Sequence, residues 1–449
     1  YYTPYTVNPY FLLAKSYNTN NVDNFLGQVT IDYKPIKGLD LVSRVGTNFT
    51  NSFIEMKTPK YKFADNFINE DGSPGKDNVG RYYESSERYN DLNIDLYANY
   101  KNDFGKRKHF NFNAIGGFNY VDRRTSILTG STNSGLIFED KYDLTNSNAQ
   151  PFVSDVKQQR RLSGIYANVS LGYRNLLFLD YSARNDWSST LPVGRRGFFY
   201  QSGGVSFVPT ELLKTPNKWL SYLKLRANAG SVGKDARFGN INTTVQMNPA
   251  FDDFGNPTYQ YLYPMQIRDT TFTGLTVSNA AGNNKIKPEI TTTYEGGLDV
   301  TMLYDRLTIG ITGYYQLSKN QIVTAPSSPS SGFSAVLQNI GKVSNKGIEL
   351  NLNATLLKDI KGVNWSVYLN YAMNRSKVIK VSSERDEVQL GTGSTAISLI
   401  AKEGQPFGIF KAETYLRDSL GRIMLNFANG LPLQAQSQGD YISLFVQEY

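Results

Sequence analysis

The chain has 449 residues and a formal net charge of +8, with 31 Tyr, 25 Phe, 3 Trp and no cysteine. The missing cysteines exclude a disulfide framework and a thiolate metal site, and the thin spread of basic residues, with one dense cluster at Lys106-Arg107-Lys108, speaks against a nucleic-acid partner. A mean hydropathy of −0.40 and the lack of any apolar run near the roughly 20 residues of a spanning helix exclude a helical membrane protein, though not a barrel, whose strands average lipid-facing and lumen-facing side chains.

Taken along the chain, the main signal is alternation with period two, which makes one face of a strand apolar and the other polar. The first pair runs from Phe25 to Tyr33 and from Leu39 to Phe49, joined across Pro35-Ile36-Lys37-Gly38. Leu92, Ile94, Leu96, Ala98 and Tyr100 then alternate with Asn93, Asp95, Tyr97 and Asn99, and the returning strand carries Phe110, Phe112, Ala114 and Phe118. Ser163 to Tyr173 and Leu176 to Arg184 meet at Arg174-Asn175, and Gly197 to Val208 and Leu220 to Gly230 follow. Tyr294, Leu298, Val300 and Met302 alternate with Glu295, Asp299 and Thr301 before a turn at Tyr304-Asp305-Arg306 and a return through Leu307, Ile309 and Ile311. In the last pair Ile348, Leu350, Leu352, Ala354 and Leu356 oppose Glu349, Asn351, Asn353 and Thr355, and Trp365, Val367, Leu369, Tyr371 and Met373 oppose Asn364, Ser366, Tyr368, Asn370 and Asn374. The spacing predicts twelve strands of about ten residues, the length a tilted membrane strand needs.

Connection lengths alternate as well. Short turns fall at 35–38, 102–108, 174–175, 209–219, 304–305 and 358–362, and long connections at 51–90, 121–160, 186–196, 232–290 and 317–345. Long structureless loops count against an ordinary soluble domain, whereas outer-membrane barrels pair short periplasmic turns with long extracellular loops. The expected fold is therefore all-β, a transmembrane antiparallel up-and-down barrel occupying residues 1–449. Soluble sandwiches, jelly rolls and propellers also alternate, but no fixed-period repeat supports a propeller.

Little points to catalysis. His109 is the single histidine and sits in a basic turn, with no nucleophile elbow to complete a triad. Asn69, Glu70 and Asp71 are the nearest approach to a Ca²⁺ loop, but a hydrated acidic turn explains them better. No catalytic residue, metal ligand or cofactor is expected. The long loops instead carry aromatic rings among amides: Tyr82, Tyr83, Trp187, Phe251, Phe254, Tyr259 and Tyr261. Such rings suit the apolar faces of sugars and equally suit peptides, so these residues are the candidate ligand contacts. Lys224, Arg226, Glu295, Asp299, Glu349 and Asn351 fall on polar faces and are the candidate lumen-lining residues.

Several stretches resemble the SusC/RagA family of TonB-dependent outer-membrane transporters of Bacteroidota. They are Arg184-Asn185-Asp186-Trp187-Ser188-Ser189-Thr190-Leu191-Pro192 with Phe198-Phe199-Tyr200, then Leu223-Lys224-Leu225-Arg226-Ala227-Asn228-Ala229-Gly230-Ser231-Val232-Gly233, Lys287-Pro288-Glu289 with Thr291 to Asp299, Asn339 to Leu350, and Glu403-Gly404-Gln405-Pro406-Phe407-Gly408. The resemblance implies import of oligosaccharides or peptides through a barrel of about 22 strands with a plugged lumen. It also implies an outer-membrane lipid surround, a SusD-like surface lipoprotein, and coupling to TonB-ExbB-ExbD through an amino-terminal plug region. That plug pattern is not read here, and residues 407–449 show strand-like pieces without a terminal aromatic strand, so the expectation is an internal segment of a larger barrel. A passive porin and a soluble β-rich adhesin or lectin stand as alternatives.

Overall fold

In the computed structural model, residues 9–63, 77–105, 109–213, 218–236, 283–328, 335–381, 385–394, 397–412 and 415–426 are described, together with shorter pieces elsewhere. Twelve strands pair strictly in chain order into one sheet. They are β1 (Tyr17–Ile36), β2 (Leu39–Tyr61), β3 (Asn78–Phe104), β4 (Phe110–Leu136), β5 (Ser147–Tyr173) and β6 (Leu177–Ser188). They continue as β7 (Gly197–Phe207), β8 (Leu220–Lys234), β9 (Glu289–Met302), β10 (Leu307–Lys319), β11 (Lys342–Ile360) and β12 (Val363–Lys380). Every pairing is antiparallel, which is the up-and-down connectivity of a membrane barrel wall.

Register explains why the alternation was readable. Leu41, Leu96, Phe118, Ile165 and Ala183 lie on one face of β2 to β6, through pairings such as Leu96↔Phe118 and Phe118↔Ile165. Leu225, Leu298, Ile311, Leu350 and Tyr371 continue the face across β8 to β12. These side chains are open: Leu96 is 46% exposed and Trp365 55%. Among the described residues no second sheet covers them, which removes the sandwich reading and leaves lipid as the solvent for that face.

Aromatic rings border the belt at both edges, as interfacial rings do. At the turn edge Phe104 stacks on Phe110 at 5.2 Å, Phe110 approaches Tyr173 at 4.9 Å, and Trp219 meets Tyr304 at 5.9 Å. At the opposite edge the same face carries Phe49, Tyr120, Trp187, Tyr294 and Tyr315, with Tyr294 directly across from Tyr315.

The short turns are built for tight reversal. Arg174 and Asn175 both have positive φ, 51° and 57°, and the Leu176 amide donates to the Tyr173 carbonyl at 2.9 Å, the geometry a two-residue hairpin requires. Gly38 has φ 86°, and a Cβ there would collide with the Lys101 backbone carbonyl, so the position admits glycine alone without displacement.

The long connections are shorter than the sequence suggests. β2 reaches Tyr61 and β3 starts at Asn78, while β4 reaches Leu136 and β5 starts at Ser147, so most of 51–90 and 121–160 is strand. Above the lipid both faces of a hairpin meet water, which erases alternation without breaking the backbone ladder. Beyond β12 a separate four-stranded sheet contains Glu387–Ser394, Ile397–Lys402, Ile409–Ala412 and Ile442–Leu444. The Glu403-to-Gly408 stretch clips it to β12: the Glu403 carboxylate accepts from the Val381 amide at 2.8 Å, and Gly404 and Gln405 exchange backbone bonds with Val378 at 2.8 Å each.

Candidate functional site

Opposite the lipid belt, the inward face is mainly polar, with apolar exceptions such as Val42, Ile115 and Val121. Arg226 on β8 is its organising cation toward the later strands. Its Nη1 donates to Glu295 Oε1 at 2.8 Å, its Nη2 to Thr312 Oγ1 at 2.5 Å, and its Nε lies 3.5 Å from Asp299 Oδ2. A Cβ on Gly297, directly across from Arg226, would strike that guanidinium, so the glycine makes room for it. Lys224 stands opposite Asp299, Glu349 opposite Thr312, and Asn351 opposite Gly310, so the six candidate lumen residues share one band across β8 to β11. The earlier strands continue it: Asn119 Nδ2 donates to Asp95 Oδ1 at 2.7 Å and Asn93 Oδ1 at 2.8 Å, and Arg184 lies over the Tyr166 ring at 5.5 Å.

At the edge opposite the short turns the band ends in a polar hub. Asp235, just past β8, has a side chain only 9% exposed. Arg160 Nη2 donates to its Oδ1 at 2.7 Å and Arg160 Nε to its Oδ2 at 2.8 Å. The hydroxyls of Ser188 and Thr190 donate to Oδ2 at 2.5 Å and 3.0 Å. Burial alone would raise this carboxyl's pKa, but Arg160 and the two hydroxyls hold it below the usual carboxylate range. Beside it Leu191, Phe198, Ala236, Ile286 and Leu337 form a small buried apolar cluster.

The hub joins distant connections at their roots. The Asn339 side-chain amide donates to the carbonyls of Lys287 at 2.7 Å and Asn320 at 2.9 Å, and its carbonyl oxygen accepts from the Lys287 amide at 2.7 Å. Glu289 accepts from the Ile322 amide at 2.9 Å, and Asn283 Nδ2 donates to the Leu337 carbonyl at 2.8 Å. Both ends of the 237–282 connection are thereby anchored above the lumen-facing side. No local motif marks Asp235, Arg160 or Asn339 as functional, although Ser188, Thr190 and Asn339 belong to the stretches that carry the family resemblance.

The candidate ligand contacts separate. Adjacent strand residues face opposite sides, so Tyr82 and Tyr83 cannot act together. Tyr82 is buried on the outward side and its hydroxyl donates to Glu55 at 2.9 Å and Glu84 at 3.0 Å, while Tyr83 faces inward, 6.0 Å below the Arg81 guanidinium. Trp187 is on β6 rather than in a loop. It shares the apolar face with Leu179 and Tyr181, and its position in the upper aromatic border is that of a membrane anchor. Phe251 falls on the short strand Ala250–Phe251. Phe254, Tyr259, Tyr261 and the Asn69-Glu70-Asp71 turn lie outside the described residues. Among the described residues no three acidic, His or Cys side chains converge as a metal site would require, and His109 contributes its backbone carbonyl to the Arg174 amide at 2.8 Å.

Comparison with known proteins agrees with this geometry. The profile of the family described as TonB dependent receptor-like, beta-barrel, matches residues 1–402. TonB-dependent receptor P3 of Formosa agariphila is 23% identical over 417 residues, covering 91% of this chain and 38% of the relative. TonB-dependent receptor SusC of Bacteroides thetaiotaomicron is 25% identical over 394 residues, covering 84% and 35%. A solved structure of the RagAB peptide transporter superposes with a TM-score of 0.74 at 20% identity, over 98% of this chain and 44% of that one. The RagAB peptide importer in its open-open state superposes equally, at 0.74 and 19% identity, over 97% and 45%. The chain thus spans well under half the length of the relatives it matches.

Proposed function

Because the chain belongs to the TonB-dependent receptor-like β-barrel family, and so to the bacterial outer membrane, we propose that residues 1–449 form part of the wall of a SusC/RagA-type nutrient importer. The observation that carries this reading is one sheet with two incompatible solvents: an apolar, ring-bordered outer face and a charged inner face capped by a braced extracellular rim. A passive porin would share both the outer face and the long outer connections; what favours the importer is the family profile over residues 1–402.

The proposed cargo is an oligosaccharide or a peptide, captured at the rim with a SusD-like lipoprotein and admitted when TonB-ExbB-ExbD pulls on a plug supplied by the same polypeptide. Tyr83, Phe251, Phe254, Tyr259 and Tyr261 are the proposed ligand contacts, as rings that can stack on a sugar face or an apolar side chain. Tyr82 is withdrawn from that set because its hydroxyl is occupied by two carboxylates, and Trp187 because its ring faces lipid. Arg226, Glu295, Asp299, Lys224, Glu349 and Asn351 are proposed to line the route, with no bond made or broken along it. Deleting the gene should abolish growth on one class of oligosaccharide or peptide as sole carbon source, restored by the intact gene and not by a copy in TonB-deficient cells. Steady ion conductance of the full-length protein in planar bilayers, without TonB, would instead make it a porin.

A further inference from the structure

The outward face does not stop at the aromatic border; directly above it the face turns cationic. Phe49 lines a cleft of about 410 Å³ together with Arg88, Asn90, Arg124, Lys157 and Gln159. Strand register puts Arg88, Arg124 and Lys157 on the face that carries Leu92, Ile94 and Tyr120 lower down, so the cleft opens toward the membrane surround and not toward the lumen. Asp122 is the device that arranges it. Its side chain is 5% exposed and accepts from Arg124 Nη2 at 2.9 Å and from Gln159 Nε2 at 2.9 Å, with Arg161 Nε at 3.6 Å. A single buried carboxylate therefore holds two guanidinium groups in place. Lys157 pairs with Asp155 at 2.8 Å in the open, with 73% and 47% of the two side chains exposed. Arg88 makes no ion pair among the described residues. Four cations, Arg88, Arg124, Lys157 and Arg161, thus face two carboxylates, Asp122 and Asp155, and the cleft keeps an excess of positive charge at the level where lipid headgroups begin.

We propose that this cleft binds the phosphate of an outer-leaflet lipid, with Arg88, Arg124 and Lys157 holding the headgroup while the acyl chains run down the belt past Phe49 and Tyr120. Guanidinium groups match phosphate geometry, and basic pockets at the membrane boundary select anionic headgroups. Charge complementarity and continuity with the apolar belt both point to a lipid and not to a soluble anion, because a free phosphate has no use for the apolar ring of Phe49 or the belt beside it. The proposal rests on the outer-membrane reading above.

The test uses the full-length protein in detergent, with native mass spectrometry reading bound lipid. The probes are a lipid with a phosphomonoester headgroup and the dephosphorylated form of the same lipid. The phosphorylated lipid should be retained at least about tenfold more tightly, and Arg88→Gln with Lys157→Gln should remove about tenfold per lost contact. Both substitutions leave the Asp122 partners untouched. Arg123→Gln, on the opposite face and 3.4 Å from Asp91, should leave retention unchanged. Equal retention of the two lipids, or equal loss in the Arg123 variant, would overturn the site. Displacement of the lipid by equimolar inorganic phosphate would overturn the lipid assignment. Heat-modifiable electrophoretic mobility of the parent protein reads barrel formation separately, so failure of the membrane reading is distinguishable from failure of the lipid site.

Discussion

The belt and the half of this sheet opposite the short turns are built from the same backbone ladder but are stabilised by different chemistry. In the belt, side chains such as Leu96, Phe118 and Ile165 need no partner beyond lipid, and alternation alone fixes register, since a one-residue slip would turn every apolar side chain inward. Above the belt, lipid no longer discriminates between faces. Specific polar attachments take over: Asp235 with Arg160, Ser188 and Thr190, Asn339 with Lys287 and Asn320, and Asn146 with the carbonyls of Phe138 and Lys141 at 2.8 Å and 2.6 Å. The lipid-facing side chains of the lower half therefore depend mainly on polarity, whereas the upper half depends on individual atoms.

The largest effect expected from that contrast is at Asp235. Replacing Asp235 with Ala strands the Arg160 guanidinium and two hydroxyls, and breaking a buried pair of this kind costs about 3 kcal/mol. Cleavage by trypsin between Ala236 and Asn283 should accelerate sharply, with the heat-modifiable mobility of the barrel unchanged; a variant as resistant as the parent would show that the hub is not what roots the connection. The same carboxyl gives a pH dependence. Its folded pKa is depressed, so its contribution is fully present above the ordinary carboxylate value of about 4 and is lost as pH falls through the folded value. Protease resistance should hold from neutral pH to about pH 4 and decline only below it.

Next in size is a belt substitution. Leu96→Arg puts a charge at mid-belt on the lipid face and should cost about 2–4 kcal/mol, measured by urea unfolding in vesicles. Asn93→Arg, on the opposite face of the same strand, should cost little. Equal costs would mean the two faces are wrongly assigned. Asn339→Ala removes three hydrogen bonds at an exposed root and should cost about 1–2 kcal/mol, visible as faster proteolysis near Lys287.

These ranks also explain what the sequence disclosed. All twelve strands were legible because lipid imposes period two on each of them, and the up-and-down order followed from turns as short as Arg174-Asn175. Strand ends such as Tyr61 and Leu136 were not, because two wet faces carry no pattern. Asp235 was hidden for another reason: Thr190, Ser188 and Arg160 lie 45, 47 and 75 residues away, and no local motif encodes a contact made by register. The sequence puts Trp187 in the connection 186–196, yet Ala183, Asn185 and Trp187 extend the odd-numbered face of β6. The strand period places Tyr82 and Tyr83 on opposite faces.

The smallest expected effect lies on the lumen band, where water screens charge and lipid is absent. Arg226 is 27% exposed and its neighbours Glu295 and Asp299 are 32% and 36% exposed. Arg226→Gln should therefore cost no more than about 1 kcal/mol in urea unfolding, despite removing an ion pair at 2.8 Å. Its consequence should be functional instead, because Glu295 and Asp299 would lose the guanidinium that sits between them and the band would become more negative. Uptake of an anionic cargo should fall and that of a neutral one should hardly change. A stability loss as large as that of Asp235→Ala would place the hub's chemistry inside the belt, and the division between lipid-set and contact-set halves would fail.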